Sequence, residues 1–276
     1  MDKNFKQQPD NNWLTNLDQY RSSGGFDEMG VTSHPWPGPW YSDDGEDGVL
    51  NYLFEYINDS NKFAVDIGSA HGYGGSQIRH LVDKYEWNSA EIDGGNWNPM
   101  HPRVHQEWFN INNICNILEK LNTPKQFDLL SLDIDSMDYY ILEKLLVNGY
   151  RFNVAIIEFN PIFGYNEPYV RAYDESYRKD STSNYGASLR AFEMLLNEAE
   201  YTLVHTFDRM ESRKANNAIF ISNKFISKDT KIIPSNELYS DCWIESWKHR
   251  NKQLYGNTLD EIKTNLCNES FIKLEA

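Results

Sequence analysis

Long apolar runs are missing from this sequence. No stretch approaches the ~18 apolar residues that a membrane helix needs, and the opening MDKNFKQQPDNNWL has no apolar h-region. The chain is therefore expected to be neither exported nor inserted in a membrane. Cysteine is scarce. Cys115, Cys242 and Cys267 are odd in number, far apart and without a C-x-x-C pair, which argues against a disulfide framework or a zinc knuckle and fits reduced thiols in a cytoplasmic protein. Positive charge is short as well: 26 Lys and Arg stand against 41 Asp and Glu, a formal charge of -15. A phosphate backbone or an anionic membrane would be repelled by that average field. Nucleic acid and membrane are set aside as partners, a small molecule is the expected ligand, and a homo-oligomer stays open. No internal repeat is found.

What is present can build a substantial core, with 40% hydrophobic and 14% aromatic residues. Residues 1 to about 45 hold too many prolines and turn residues for regular structure, as in SHPWPGPWYSDDGEDG. Trp36, Trp40 and Tyr41 make this an ordered arm, because free tails usually lack aromatics. DGVLNYLFEYI then places Val49, Leu50, Leu53, Phe54 and Ile57 on one helical face. Next come a strand at KFAVDIG, a glycine loop, a helix at GSQIRHLVDKY and a strand at NSAEIDGG, which together make a β-α-β unit. A short strand near Val104, helices at NINNICNILEKL, YYILEKLLV and GASLRAFEMLLNEA, and strands at FDLLSLDI, NVAIIEFN, YTLVHTF and NAIFI follow. Strands alternating with helices imply a mostly parallel sheet covered on both faces. The division expected is an arm and lead-in helix at 1–60, a core at 61–225 and a C-terminal helical tail at 226–276.

AVDIGSAHGYGG sets Asp66 at the end of the first strand, Gly68 two residues on and Gly72 four beyond that. Glycines allow a tight strand-to-helix turn and close approach of a ligand to backbone N–H groups. The dinucleotide fingerprint G-x-G-x-x-G is absent, which weakens a diphosphate ligand. An acid ahead of the first glycine suits a cationic or donor-rich head. Asp93 ends the second strand, where a carboxylate can accept from both ribose hydroxyls. The plain alternative is a β-α turn without a ligand.

These motifs, with GEDGVLNYLF upstream and EIDGG, DLLSLDIDSMDYYILEKLL, IIEFNP and NYGASLRAF downstream, resemble the class I S-adenosylmethionine (SAM) methyltransferases, and within them the FkbM-type group and related sugar O-methyltransferases. The resemblance covers about residues 45 to 222. It implies a Rossmann-like seven-stranded, mostly parallel sheet with helices on both faces that binds SAM and transfers a methyl group, usually to oxygen. It also implies that Asp66, Gly68, Ser69 and Gly72 surround the methionine part, that Asp93 meets the ribose, and that Glu46 and Asp133 face the cofactor. The acceptor it implies is small and polar, such as a sugar or nucleotide-linked sugar.

Asp133, Asp135 and Asp138 stand within six positions at the end of the fourth strand. Methyl transfer to a hydroxyl needs a group to take its proton, so Asp133 and Asp135 are catalytic candidates. His71, in the glycine loop, is a candidate second base or a loop histidine satisfied by backbone. EFNP brings Glu158 and Asn160 to the same edge, an all-oxygen set with Asp133 suited to Mg²⁺ or Mn²⁺. Macrocin-type sugar O-methyltransferases, which this region resembles in outline, use a divalent metal there, although no double Asp follows the fifth strand here. The alternative makes Asp135 the N-cap of the next helix and Asp138 a first-turn dipole partner. The loop from Pro161 to Asn184, with Arg171, Arg178 and Lys179, is a candidate lid. A NAD-dependent Rossmann oxidoreductase, or a SAM-binding protein without chemistry, are the competing functions.

Overall fold

The strands form where short runs are apolar on both faces. In Phe63–Ile67 (β1), Val65 and Ile67 join one buried cluster while Ala64 joins another on the opposite face; such a strand needs cover on both sides. The computed structural model of the protein describes residues 12–17, 41–42, 45–57, 61–179, 182–207, 216–239, 251–252 and 254–275. Further strands lie at Asn88–Asp93 (β2), Val104–Gln106 (β3), Gln126–Leu132 (β4), Arg151–Glu158 (β5), Tyr169–Arg171 (β6), Tyr201–Thr206 (β7), Asn217–Ser222 (β8) and Phe271–Lys273 (β9). Seven of them form one sheet in the order β3-β2-β1-β4-β5-β8-β7, and in it only β8 runs against its neighbours. The fold is α/β and Rossmann-like.

Helices Glu46–Tyr56 (α1) and Arg79–Tyr85 (α2) supply Val49, Leu50, Leu53, Leu81 and Val82 to one face. Ile114–Lys120 (α3), Asp138–Val147 (α4) and Leu189–Glu198 (α5) cover the other with Ile117, Leu142, Leu145, Phe192 and Leu196. Ser188 opens α5 by accepting the Ala191 N–H, the early-turn role that its hydroxyl suits. Trp13, Leu14 and Leu17 of the arm are buried against α1, where the Tyr52 hydroxyl donates to the Trp13 carbonyl at 3.0 Å. Trp36 and Trp40 lie outside the described residues. No helix among the described residues is long and apolar enough to cross a membrane.

Two segments differ from expectation. The helix read from Gly75 onward begins at Arg79. Gly75 is left-handed at φ +77° and the Ser76 hydroxyl accepts the Arg79 N–H, so residues 68–78 form one long loop. The tail is not purely helical: after Ser235–Leu238 (α6) and Leu259–Glu269 (α7) comes β9, which pairs antiparallel with β6 inside the stretch read as a polar loop. Ile162 and Phe163 there share a buried cluster with Ile262, Leu266 and Phe271. The Lys263–Glu167 pair at 2.6 Å adds to this clamp.

Candidate functional site

Going outward from β1, the connections lead to β2 on one side and β4 on the other, and crevices for ligands open at the carboxyl ends of strands where the winding reverses. Here the turn after β1 crosses close to the end of β4. The Asp133 N–H donates to the Ile67 carbonyl at 3.1 Å, and a Cβ on Gly68, which sits at φ +97°, would overlap the Asp133 carbonyl oxygen. Only glycine fits. Beside this contact a cavity of about 480 Å³ opens, walled by Asp66, Gly68, Ser69, Gly74, Gly75 and Gln77 from the glycine loop, by Asp93, Gly94, Gly95 and Trp97, by Trp108 to Ile111, by Asp133 to Met137 and by Tyr173 to Tyr177 in part. Its volume is in the range of cofactor sites. Ala70 and Asp135, both in the wall, are left-handed at φ +47° and +56°, a strain that clusters at functional sites.

The glycine loop is held from several sides. Asp93 accepts the Ala70 N–H at 2.7 Å through Oδ2, and the Gly95 N–H and Trp97 indole N–H through Oδ1. A carboxylate offers about four lone-pair sites, so one is left for a ligand hydroxyl, not the two expected. The Gly75 N–H donates to the Tyr41 carbonyl at 2.7 Å, and Asp47 fixes Tyr41 and Ser42 in turn. Arg79 donates to the Gly72 carbonyl at 2.8 Å and pairs with Glu91, both side chains buried. Asp66 is buried below the loop, with the Ser76 hydroxyl at 3.3 Å, and burial followed by the charge of Glu91 pushes its carboxyl up to about 7.

Three expected cofactor or catalytic residues lie elsewhere. Gly72 faces away from the cavity wall toward Val104 and His101, so its glycine requirement is one of packing. His71 is not in the wall either; its Nδ1 accepts the Tyr73 N–H at 3.0 Å, the backbone-satisfied alternative. Glu46 is buried at the start of α1 and accepts from the Asn217 amide at 3.0 Å. Residues that the sequence did not single out take their places: Gly74, Gly75, Gln77, Trp97 and Trp108. The two tryptophans pack against Gly94 and Gly95, where a Cβ would meet Trp108 at 2.7 Å and the Trp97 Nε1 edge at 2.6 Å.

At the other end of the cavity the acids converge. One carboxylate oxygen each from Asp133, Asp135 and Glu158 lies within 4.8 Å of the others. Glu158 is buried, Asn216 reaches its Oε1 at 3.3 Å, and no hydrogen-bond donor among the described residues meets its Oε2. Burial, then Asp133 and Asp138, hold the Glu158 carboxyl well above the usual carboxylate range. The Lys179 ammonium pairs with Asp135 and lies 3.7 Å from Glu158 Oε1. Asp138 is no simple dipole partner. It is buried and accepts the N–H groups of Ile134 and Ser136 at 2.9 and 3.0 Å, fixing the strained turn that carries Asp135, and burial followed by Asp133 pushes it up to about 7. Nor is Asp135 an N-cap, since Met137 holds that position.

Asn160 does not join the set. Its amide donates to the carbonyls of Ser183 and Tyr185 at 2.7 and 2.9 Å and accepts the Ile162 N–H at 3.1 Å. It organises backbone. Asn160→Ala is expected to destabilise the fold by about 2–3 kcal/mol through stranded backbone groups while leaving Mn²⁺ binding by the protein unchanged; urea unfolding and calorimetry read the two, and lost metal binding in a folded variant would restore Asn160 as a ligand.

Over the cavity mouth, residues 173–179 reach across to the loop before α3. Glu175 accepts from the Asn110 amide and the Arg178 guanidinium lies 3.9 Å from the Trp108 ring. No family model matches this chain, and no curated protein matches it.

Proposed function

We propose that the protein is a SAM-dependent O-methyltransferase acting on a small polar acceptor, with SAM in the cavity at the ends of β1 and β4. One observation carries the reading: among the described residues the wall holds six carboxylates, Asp66, Asp93, Asp133, Asp135, Asp174 and Glu175, and neither Lys nor Arg. A cationic sulfonium with an ammonium is attracted there, whereas the pyrophosphate of a nicotinamide dinucleotide is repelled. Asp66 and the loop backbone suit the methionine part, the remaining acceptor site on Asp93 suits a ribose hydroxyl, and the exposed Trp97 ring suits an adenine.

In this reading the acceptor hydroxyl attacks the sulfonium methyl. As the new C–O bond forms and the S–CH₃ bond breaks, the proton passes to Asp133 and the cofactor leaves as a neutral thioether. Burial holds the Glu158 carboxyl above the usual range, and of the two acids it is Asp133 that stands in the cavity wall, placed to take the proton. Asp135 and Lys179 pair at the rim of the same pocket.

A divalent ion is the second reading, favoured by the convergence of Asp133, Asp135 and Glu158. These three would hold it, and it would supply Lewis acidity at the acceptor oxygen. Chelator abolishing turnover and Mg²⁺ restoring it belongs to this reading, and turnover indifferent to chelator belongs to the carboxylate base.

Calorimetry with SAM and its demethylated product tests the assignment: both are expected to bind at micromolar strength, and silence with both alongside binding of NAD would overturn it. The pH dependence has a definite sign. With its pKa raised to about 7, Asp66 is largely protonated at pH 6. A cation favours its ionised form, so binding releases the proton and affinity rises with pH by up to about tenfold per unit below 7. Titrations at pH 6 and 8 in buffers of different ionisation heat check this. Proton uptake, or flat affinity, would remove Asp66 from the cationic head.

A further inference from the structure

The Lys179 side chain shows more than a surface ion pair. Its ammonium lies on Asp135, 3.7 Å from Glu158 Oε1, and 4.2 Å from the centre of the Tyr185 ring. Tyr185 and Glu158 are buried, and the lysine is carried in from the segment that spans the cavity mouth. Two carboxylates and an aromatic face are the recognition set for an organic ammonium: the acids supply charge-assisted acceptors and the ring supplies a negative face. A divalent ion wants oxygen ligands on every side, and the ring face offers none. Glu158 Oε2, buried and without a donor among the described residues, is an acceptor still to be used.

We propose that the acceptor carries a protonated primary amine, and that this amine binds between Asp135, Glu158 and Tyr185 in place of Lys179. The inference rests on the transferase reading only in calling the ligand an acceptor. The chain's own lysine is then a tethered stand-in: it satisfies the acids when no ligand is bound and is displaced with its segment when one enters. A hydroxyl one or two carbons from such an amine is brought toward Asp133, so amino alcohols and amino sugars are the chemical class expected, and their neutral counterparts are discriminated against because they leave the acids uncompensated.

The test uses n-butylamine, which reproduces the lysine side chain, against n-butanol, which lacks only the charge. Lys179→Ala is expected to bind butylamine saturably at neutral pH and at least tenfold more tightly than butanol, read by calorimetry and thermal shift. Wild type is expected to bind the amine at least tenfold more weakly, since its own ammonium competes, and Lys179→Arg, which keeps a cation, is expected to behave as wild type. Adding Asp135→Asn to Lys179→Ala should erase the preference. Equal binding of amine and alcohol to Lys179→Ala overturns the proposal, as does tight Mn²⁺ binding by that variant with no response to amine, which assigns the pocket to a metal. Lys179→Gln repeats the measurement should the alanine variant not fold. Titration of the demethylated cofactor into the same variants separates the two readings: wild-type affinity shows the cofactor half intact whatever the amine does, and no binding to any variant or to wild type fails the transferase reading alone.

Discussion

Gly68→Ala is expected to destabilise the protein by about 2–5 kcal/mol and to abolish cofactor binding. Two effects add. At φ +97° an L side chain is strained, by roughly 1–2 kcal/mol, and the added Cβ would overlap the Asp133 carbonyl, which must move for the chain to fold; overpacking of this kind typically costs another 1–3 kcal/mol. That carbonyl belongs to the residue whose N–H donates to Ile67, so relief of the clash parts β1 from the end of β4, where the cavity lies. Gly75→Ala is the control. Its φ is +77° but nothing lies within 4 Å of the new Cβ, so only the backbone strain of about 1 kcal/mol is expected. Urea unfolding of both variants reads the difference. Equal midpoints would mean that the approach of Gly68 to Asp133 does not limit the fold.

Asp133→Asn is expected to slow methyl transfer by about 10² to 10⁴ while cofactor affinity stays within severalfold. The amide matches the carboxylate in shape but cannot take the acceptor's proton. The neighbouring Glu158 does not replace it, because Glu158 stands behind Asp133 and outside the cavity wall. Single-turnover transfer of labelled methyl to whichever acceptor the wild type accepts, with calorimetry of the demethylated product alongside, gives both numbers. A variant as fast as wild type removes Asp133 from proton transfer and leaves the acids as a binding site only. A variant that also loses cofactor affinity tenfold or more makes Asp133 a cofactor contact first.

The sheet was legible because its strands are apolar on both faces: DLLSL and NVAIIEF have few other places to go in a folded chain. The end of β1 and the end of β4 followed, since acids at strand ends are conspicuous. What sequence could not tell was which side of each loop faces the cavity. His71 and Gly72 stand inside the glycine loop by number, but the Arg79–Glu91 pair holds the Gly72 carbonyl away from the opening, and that pair joins residues from two elements. Glu46 and Asn160 look like site residues because they are polar beside motifs, yet each is tied to distant groups, Asn217 in one case and the 183–185 backbone in the other. Trp97 and Trp108 carried a signal in being large aromatics within a polar, Pro-containing stretch, but only the Gly94–Gly95 contact shows what they pack on.

The pairing of β6 with β9 bears on how the protein is made. Residues 66–136, which form most of the cavity wall, can meet β5 as soon as Glu158 has left the ribosome, and chains fold from the amino end during synthesis at ~5–20 residues per second. The rest waits. Residues 161–172 lead into the segment that spans the mouth, and their partners, Lys263 and Phe271–Lys273, are translated about a hundred residues later. A nascent chain paused before residue 259 thus has most of the cavity wall in place, while the wall beside Lys179 still lacks its outer support.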